Sequence, residues 1–439
     1  MNYRSPDGNP VPRSLALYEA ALALMPGGVS SPVRAFKAVG GTPRFMVRGE
    51  GAWMWDVDGH RYLDCLGAWG PLLLGHRPPA VVAAIQEVLA EGWVFGTPCP
   101  REIELARRVQ KFYPSLEKMR FVNSGTEATL AAVRLARGAT GRELIVKIAG
   151  GYHGHGDTLL MDAGSGVATF ASEAGSPGIP EALVRLVRNV PFGDAAALEQ
   201  LFAAEGPRIA AFILEPVCGN MGVVTPPAGY LQTARELCTR HGALLIFDEV
   251  MIGFRIAAGG AQEIYGVIPD LTCLGKIIGG GLPVAAYGGR ADLLSRIAPE
   301  GPVYQAGTLS GNPLGMAAGI AMLDALAELR PWPRLGEITT QLADELRAQA
   351  RRHGLAVQVN AVPGMFTIFF TATPVTDFTT AKTSDAARYG RFFQGLLERG
   401  VHFPPSRLEA AFLSAAFGEV VCEHLLAATD GAFAALAAG

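Results

Sequence analysis

With 439 residues, 49% of them hydrophobic and 18% charged, the chain has an ordinary globular composition and is long enough to bury a large core in two or three domains. Its 37 Lys and Arg against 40 Asp and Glu leave a formal charge of −3, so no basic excess points to nucleic acid and no basic block to a membrane surface. Six cysteines scattered from Cys65 to Cys422 without a CxxC pair read as reduced, buried thiols and argue against a disulfide framework or a zinc cluster.

In chain order, the opening MNYRSPDGNPVPR lacks the basic start and apolar core of a leader, and no later run is expected to span a bilayer, so a cytoplasmic location is expected. SLALYEAALALM at 14–25 predicts a helix capped by Ser14 and ended by Pro26-Gly27-Gly28. AWMWDVDGHRYLDC alternates around Asp58-Gly59, a dipeptide that supplies positive φ for a tight hairpin. From 79 onward, helical runs such as PAVVAAIQEVLAEG alternate with short apolar runs: RFV at 120, ELIVKI at 143, AAFILE at 210 and ALLIFDE at 243. That alternation argues for an α/β fold with a mostly parallel sheet covered by helices on both faces. The stretch 162–180, rich in Gly, Ser, Ala and Pro, is longer than ordinary loops; a mobile lid and a surface excursion without a role both fit it. PWPR near 331 interrupts helical sequence, and LGEITTQLADELRAQARRHG, MFTIFF and DAARYGRFFQGLLERG then read as a small separate α/β domain. The expected division is 1–70 as an N-terminal segment, 71–325 as the large domain and 326–439 as the small C-terminal domain.

Ligands of such sheets sit at the carboxyl ends of the strands, and three of those ends carry polar groups. In RFVNSGTEATLAAVRLA, the turn Ser124-Gly125-Thr126 opens a long helix, an arrangement suited to phosphate, although Ser/Thr caps also begin many helices that bind nothing. ALLIFDEV delivers Asp248 after five apolar residues. A carboxylate there needs a partner such as a cation or a protonated ring nitrogen; otherwise it caps a neighbouring helix or pairs with an arginine, with Arg255 in GFR a candidate. Glu215 ends AAFILE in the same way and is expected to face the same cleft. Lys276 in TCLGKIIGGG is not a nucleotide-loop lysine, because Asp270 and Ile277 stand where GxxxxGK[ST] demands Gly and Ser or Thr. An amine in an apolar pocket beside another cation is deprotonated easily enough to attack a carbonyl; alternatively its stem packs and its head reaches solvent. Phosphate cradle, buried acid and amine together match the three handles of pyridoxal phosphate. His153 and His155 in YHGHGD, with Asp157 beside them, have metal-ligand spacing but no further ligand set, and no metal is expected.

Over about 27–415 the chain resembles the glutamate-1-semialdehyde 2,1-aminomutase family of fold-type I pyridoxal-phosphate enzymes, related to the class III aminotransferases. The strings that carry the resemblance are GGVSSPVRAFKAVGGTP, FVNSGTEAT, GYHGHGD, EPVCGNMGVV, LLIFDEVMIGFR, PDLTCLGKIIGGGLPVAAYGG and YQAGTLSGNPL. The resemblance implies that Lys276 holds the cofactor aldehyde as an imine and that Asp248 keeps the pyridine nitrogen protonated. It also places Ser124, Gly125 and Thr126 at the phosphate, Tyr152 and Val250 on the two ring faces and Asn220 at the ring hydroxyl. It further implies a homodimer in which Gly307 and Thr308 reach the neighbouring subunit's phosphate. Ser31, Arg34, Trp69, Ser165, Tyr304 and Glu409 are implied to line the substrate end, Arg34 by charge-assisted bonds to a carboxylate. The implied reaction moves an amino group within one small molecule, using the pyridoxal and pyridoxamine forms, to yield 5-aminolevulinate for tetrapyrroles. The chain departs from the pattern at Ile252, Phe417, Ala411 and PFGD at 191. An ordinary aminotransferase of a β- or ω-amino acid and a non-catalytic scaffold are the rival readings.

Overall fold

The computed structural model describes residues 11–164 and 175–438. Among them, a seven-stranded sheet runs in the order β4-β10-β9-β8-β7-β5-β6: β4 is Lys118–Val122, β5 Leu144–Ile148, β6 Val187–Val190, β7 Ile209–Leu214, β8 Leu244–Asp248, β9 Leu271–Leu274 and β10 Ala285–Gly289. Pairs β5·β6, β5·β7, β7·β8 and β8·β9 are parallel, and β10 alone is reversed, antiparallel to both β4 and β9. The carboxyl ends of β4, β5, β7, β8 and β9 therefore lie along one edge. The expected α/β fold with its mostly parallel sheet is observed.

Both faces of this sheet are apolar because both are covered. Ile145, Ile213 and Ile246 pack under the helix Gly125–Thr140, whereas Val146, Phe212 and Leu245 point the other way onto the helices Ala195–Glu205 and Tyr230–His241. Each such aliphatic or aromatic side chain contributes about 1.5–3 kcal/mol by leaving water.

Two smaller sheets flank the large one. β1 (Met46–Glu50), β2 (Trp53–Asp56) and β3 (Arg61–Asp64) form the expected antiparallel piece, with Gly59 at φ +92° in the turn, and β13 (Val401–His402) adds to β3 in parallel. β11 (Gln358–Val362), β12 (Met365–Phe369) and β14 (Ala411–Phe412) form the other. One core cluster runs from Phe36 through Leu274 to Phe433, so the piece after the first helix and the C-terminal helix share a core with residues of β4, β9 and β10.

Several local expectations are corrected. The first helix is Pro12–Leu24 with Pro12 opening it; Ser14 is buried inside the first turn, its amide on the Asp58 carboxylate and its hydroxyl accepting the Phe45 amide. PWPR does interrupt helical sequence, as expected: the helix Pro313–Leu329 ends before it, and Pro331 and Pro333 open the next helix, Trp332–Arg352, where proline is tolerated in a first turn. Against the sequence expectation, the helix Glu419–Ala438 is long and apolar enough by composition to cross a membrane, with mean hydropathy 1.4. Here it packs Leu425, Ala428, Ala432 and Phe433 inward against the helices Trp332–Arg352 and Ala386–Leu397.

Lys147 is an unforeseen charge at the centre of β5. It stands in register with Asn189 of β6 and Ile213 of β7, is 0% exposed, and donates from Nζ to the Met161 carbonyl at 2.7 Å. Burial pulls its amine down to about 8, against the opposing pull of Asp162 and Glu215. With the folded value depressed and the unfolded one near 10.4, the cost of charging it is complete below pH 8 and disappears as pH rises toward 10.4. Lys147→Met is therefore expected to be more stable than the wild type by roughly 3 kcal/mol near pH 7, a difference that shrinks toward zero as pH rises to 10.4. Denaturant unfolding of both proteins across that range checks this; parallel profiles refute it.

Candidate active site

The edge formed by the strand ends opens into a cavity of about 420 Å³ whose lining includes Ser124, Gly125, Thr126, Tyr152, Glu215, Asn220, Asp248, Val250 and Lys276. At one end, the 16-residue helix Gly125–Thr140 begins with a capping box. Ser124 Oγ accepts the Glu127 amide at 3.2 Å, and Glu127 Oε2 accepts the amides of Asn123 and Ser124 at 2.6 and 3.0 Å. Those bonds leave the amides of Gly125 and Thr126 without an acceptor among the described residues, directed outward from a helix N-terminus and suited to an anion. The loop after β5 lies tightly on this turn. A Cβ at Gly154, whose φ is +82°, would sit 2.4 Å from Thr126 Oγ1, so only glycine lets the two backbones approach.

At the floor, Asp248 ends β8 at 5% exposure. Its Oδ1 accepts the Val250 amide at 3.0 Å, and its Oδ2 lies 2.8 Å from His153 Nδ1. The partner of Asp248 is thus His153, not Arg255, which bonds to backbone carbonyls elsewhere. His153, considered from the sequence only as a metal ligand, is fully buried and tied to the phosphate-turn helix through Thr129, which donates to its carbonyl at 2.7 Å. Among the described residues no group of three or more His, Cys, Asp or Glu can hold a metal. The histidine's role was not legible because its partner lies 95 residues away.

Glu215 ends β7 in the same cavity, as expected, but works through others. Its Oε1 accepts the Tyr152 amide at 3.0 Å, and its Oε2 accepts the Gly219 amide at 2.9 Å and Asn220 Nδ2 at 2.8 Å, so one carboxylate positions both Tyr152 and Asn220. Burial raises its pKa, while His153 and the two amides oppose that.

Lys276 follows β9 in the left-handed region at φ +49° and lines the cavity, with Nζ donating to the Trp69 carbonyl at 2.6 Å. Surrounding protein depresses its pKa by desolvation; Glu409 opposes this and Arg255 adds to it. Trp69 belongs to a strap, 67–70, whose four residues all have positive φ. The left-handed Ala68 and Trp69 each cost about 1–3 kcal/mol and persist only because neighbours dictate the conformation.

The remaining expected residues are not all brought together. Arg34 and Trp69 line a second cavity of about 510 Å³ with Ser30, Arg44 and His402, and Ser31 adjoins it. Glu409 is buried at 4% exposure. Tyr304, Gly307 and Thr308 are exposed and absent from the lining of their own chain's cavity. Ser165 lies outside the described residues, as does much of 162–180. The departures Ile252, Ala411, Phe417 and Phe192 are all buried in the core and line neither cavity.

The donor set fits a phosphorylated, protonatable heterocycle bearing an aldehyde: free amides at one end, a carboxylate with lone pairs to spare at the floor, an amine between them. A model of "Aminotransferase class-III" matches residues 36–409. The chain is 52% identical over 423 residues to the glutamate-1-semialdehyde 2,1-aminomutase of Myxococcus xanthus (strain DK1622), covering 96% of this chain and 98% of that one. It is 53% identical over 410 residues to the enzyme of the same name from Aquifex aeolicus (strain VF5), covering 93% and 96%. A solved transaminase with PLP bound superposes with a TM-score of 0.88 at 31% identity, covering 97% of this chain and 98% of that one. By fold, site and sequence, the chain belongs to the class-III aminotransferase family.

Proposed function

We propose that the chain is a pyridoxal-phosphate enzyme that converts glutamate 1-semialdehyde to 5-aminolevulinate by moving the amino group within one molecule, a step toward tetrapyrroles. The observation that carries this reading is the 52–53% identity, over nearly the whole chain, to relatives bearing that activity in their names. When bound, the cofactor supplies the carbonyl that accepts an amino group and the protonated ring that takes up electron density.

The chain's own residues supply the rest. Gly125 and Thr126 amides, with Ser124 beside them, would take the phosphate, and Asp248, oriented by His153, the ring N–H. Tyr152 and Val250 would hold the two faces of the ring and Asn220 its hydroxyl. Lys276 Nζ is the amine of the cavity, suited to carry a proton between a substrate carbon and the cofactor's exocyclic carbon because its desolvated setting favours the neutral form. Arg34 and Trp69, in the adjoining cavity, would receive the substrate's carboxylate end, with Ser31 and Glu409 serving beside them; Tyr304, exposed and outside both cavities of its own chain, would join them only from a neighbouring subunit. The lid expected for 162–180 falls largely on residues outside the described ones, Ser165 among them. A cytoplasmic location is also proposed, supported by six free cysteines.

Shared sites in a homodimer belong to the same reading. Trp93, Val94, Phe95, Ile103, Tyr304 and Leu309 are exposed apolar side chains, Ile103 lines one shallow cavity with Gly307, and Thr308 follows Gly307 on an exposed segment away from its own chain's cofactor-sized cavity. Sedimentation at micromolar concentration is expected to give a dimer; a fully active monomer would end the shared-site proposal.

Purified protein given the semialdehyde and no second substrate is expected to form 5-aminolevulinate through many turnovers. A strict requirement for an oxo-acid acceptor would instead establish an ordinary aminotransferase. Borohydride reduction of the holoenzyme is expected to fix cofactor mass on the peptide containing Lys276, and Lys276→Ala to abolish both that label and turnover. Fixation at another lysine would overturn the assignment.

A further inference from the structure

Arg255 has no place in the chemistry above, and its surroundings are unusual. It is 1% exposed, and among the described residues its hydrogen-bond partners are backbone carbonyls: Gly364 and Leu413, each 3.3 Å from Nη1, and Gly70, bonded to Nη2. The guanidinium carbon stands 4.8 Å from the centroid of the Phe412 ring. Burial pulls its pKa down to about 9 with no acidic neighbour opposing. A cation kept in the interior by dipoles and a ring face is costly, and apolar residues could fill the same volume.

Its position connects it to Lys276. Arg255 bonds the carbonyl of Gly70 while Lys276 bonds that of Trp69, so the two cations grip successive peptides of the left-handed strap. The strap is packed on Phe412 and on the lysine stem: a Cβ at Gly70 would fall 3.1 Å from Lys276 Cδ and 3.4 Å from the Phe412 ring. We propose that Arg255 is a positioning residue for Lys276, fastening the 67–70 strap so that Trp69 presents its carbonyl to Nζ and setting a like charge on the next peptide of that strap.

Four charged groups act on Lys276 from the elements packed around it. Glu409, Glu215 and Asp248 favour the ammonium, and Arg255 opposes them. Desolvation is the main force lowering the pKa of this amine, the three carboxylates oppose it and the like charge adds to it, so removing that charge must raise the pKa. Nothing in the spacing of GFR could have shown this, because the strap and the Phe412 ring come from distant parts of the chain.

The inference rests on Lys276 being the reactive amine, which borohydride fixation tests separately. Its own test is the pH dependence of Lys276 acylation by trace acetic anhydride in the full chain freed of cofactor, read by mass spectrometry against exposed lysines. Arg255→Gln keeps donors for the carbonyls but loses the charge, and is expected to raise the Lys276 midpoint by about one pH unit or more, roughly tenfold less neutral amine at pH 7.5. Arg255→Lys keeps the charge and is expected to restore most of the wild-type midpoint. If Arg255→Gln does not fold, Arg255→Met provides the same charge loss. An unchanged midpoint in a folded uncharged variant, or an equal rise in Arg255→Lys, overturns the proposal.

Discussion

The site is organised around a carboxylate that the fold removes from water. Asp248 sits at the end of a strand buried on both faces, where an isolated charge is expensive, and two donors hold it: the Val250 amide and His153. That arrangement leaves acceptor capacity facing the cavity, so on the proposed reading a protonated ring nitrogen would gain a partner already desolvated and aimed. Preorganisation of this kind spares the reorganisation that a solvated carboxylate would undergo. His153, Thr129 and the Gly125–Thr140 helix then link the acid to the anion-binding turn, so floor and end wall are set by one network.

Around that axis, charges are placed by indirect means. Glu215 orders Tyr152 and Asn220. Lys276 is balanced between three carboxylates and the buried Arg255. The left-handed strap at 67–70 separates the cofactor cavity from the one lined by Arg34, and both cations hold it. Strain and buried charge are concentrated here, whereas most surface ion pairs, such as Arg185 with Glu181, contribute little to stability.

Much of this was legible. Apolar runs at 120, 143, 210 and 243 became β4, β5, β7 and β8 because fully buried strands need continuous apolar sequence, and Asp248, Glu215 and the SGT turn stood out as polar interruptions at their ends. Strands β6 and β9 do not stand out in the sequence because each is four residues long, and β10 because its AAYGG is made mostly of small residues that fit a loop equally well. The Ser14 cap failed because its hydroxyl and amide are used by Phe45 and Asp58 across the entry piece.

By itself, the sequence determined the residue types: an acid after an apolar strand, small polar residues opening a helix, a lysine followed by glycines. Those are local facts, fixed by what a strand end or a helix N-terminus tolerates. Only the tertiary structure decided the partners. His153 rather than Arg255 pairs with Asp248, Lys147 is buried in β5, and Arg255 reaches Gly70, Gly364 and Leu413. The physical reason is range: covalent spacing governs dihedrals and periodicity over a few residues, whereas desolvation and charge depend on which distant segments fill the volume around a group.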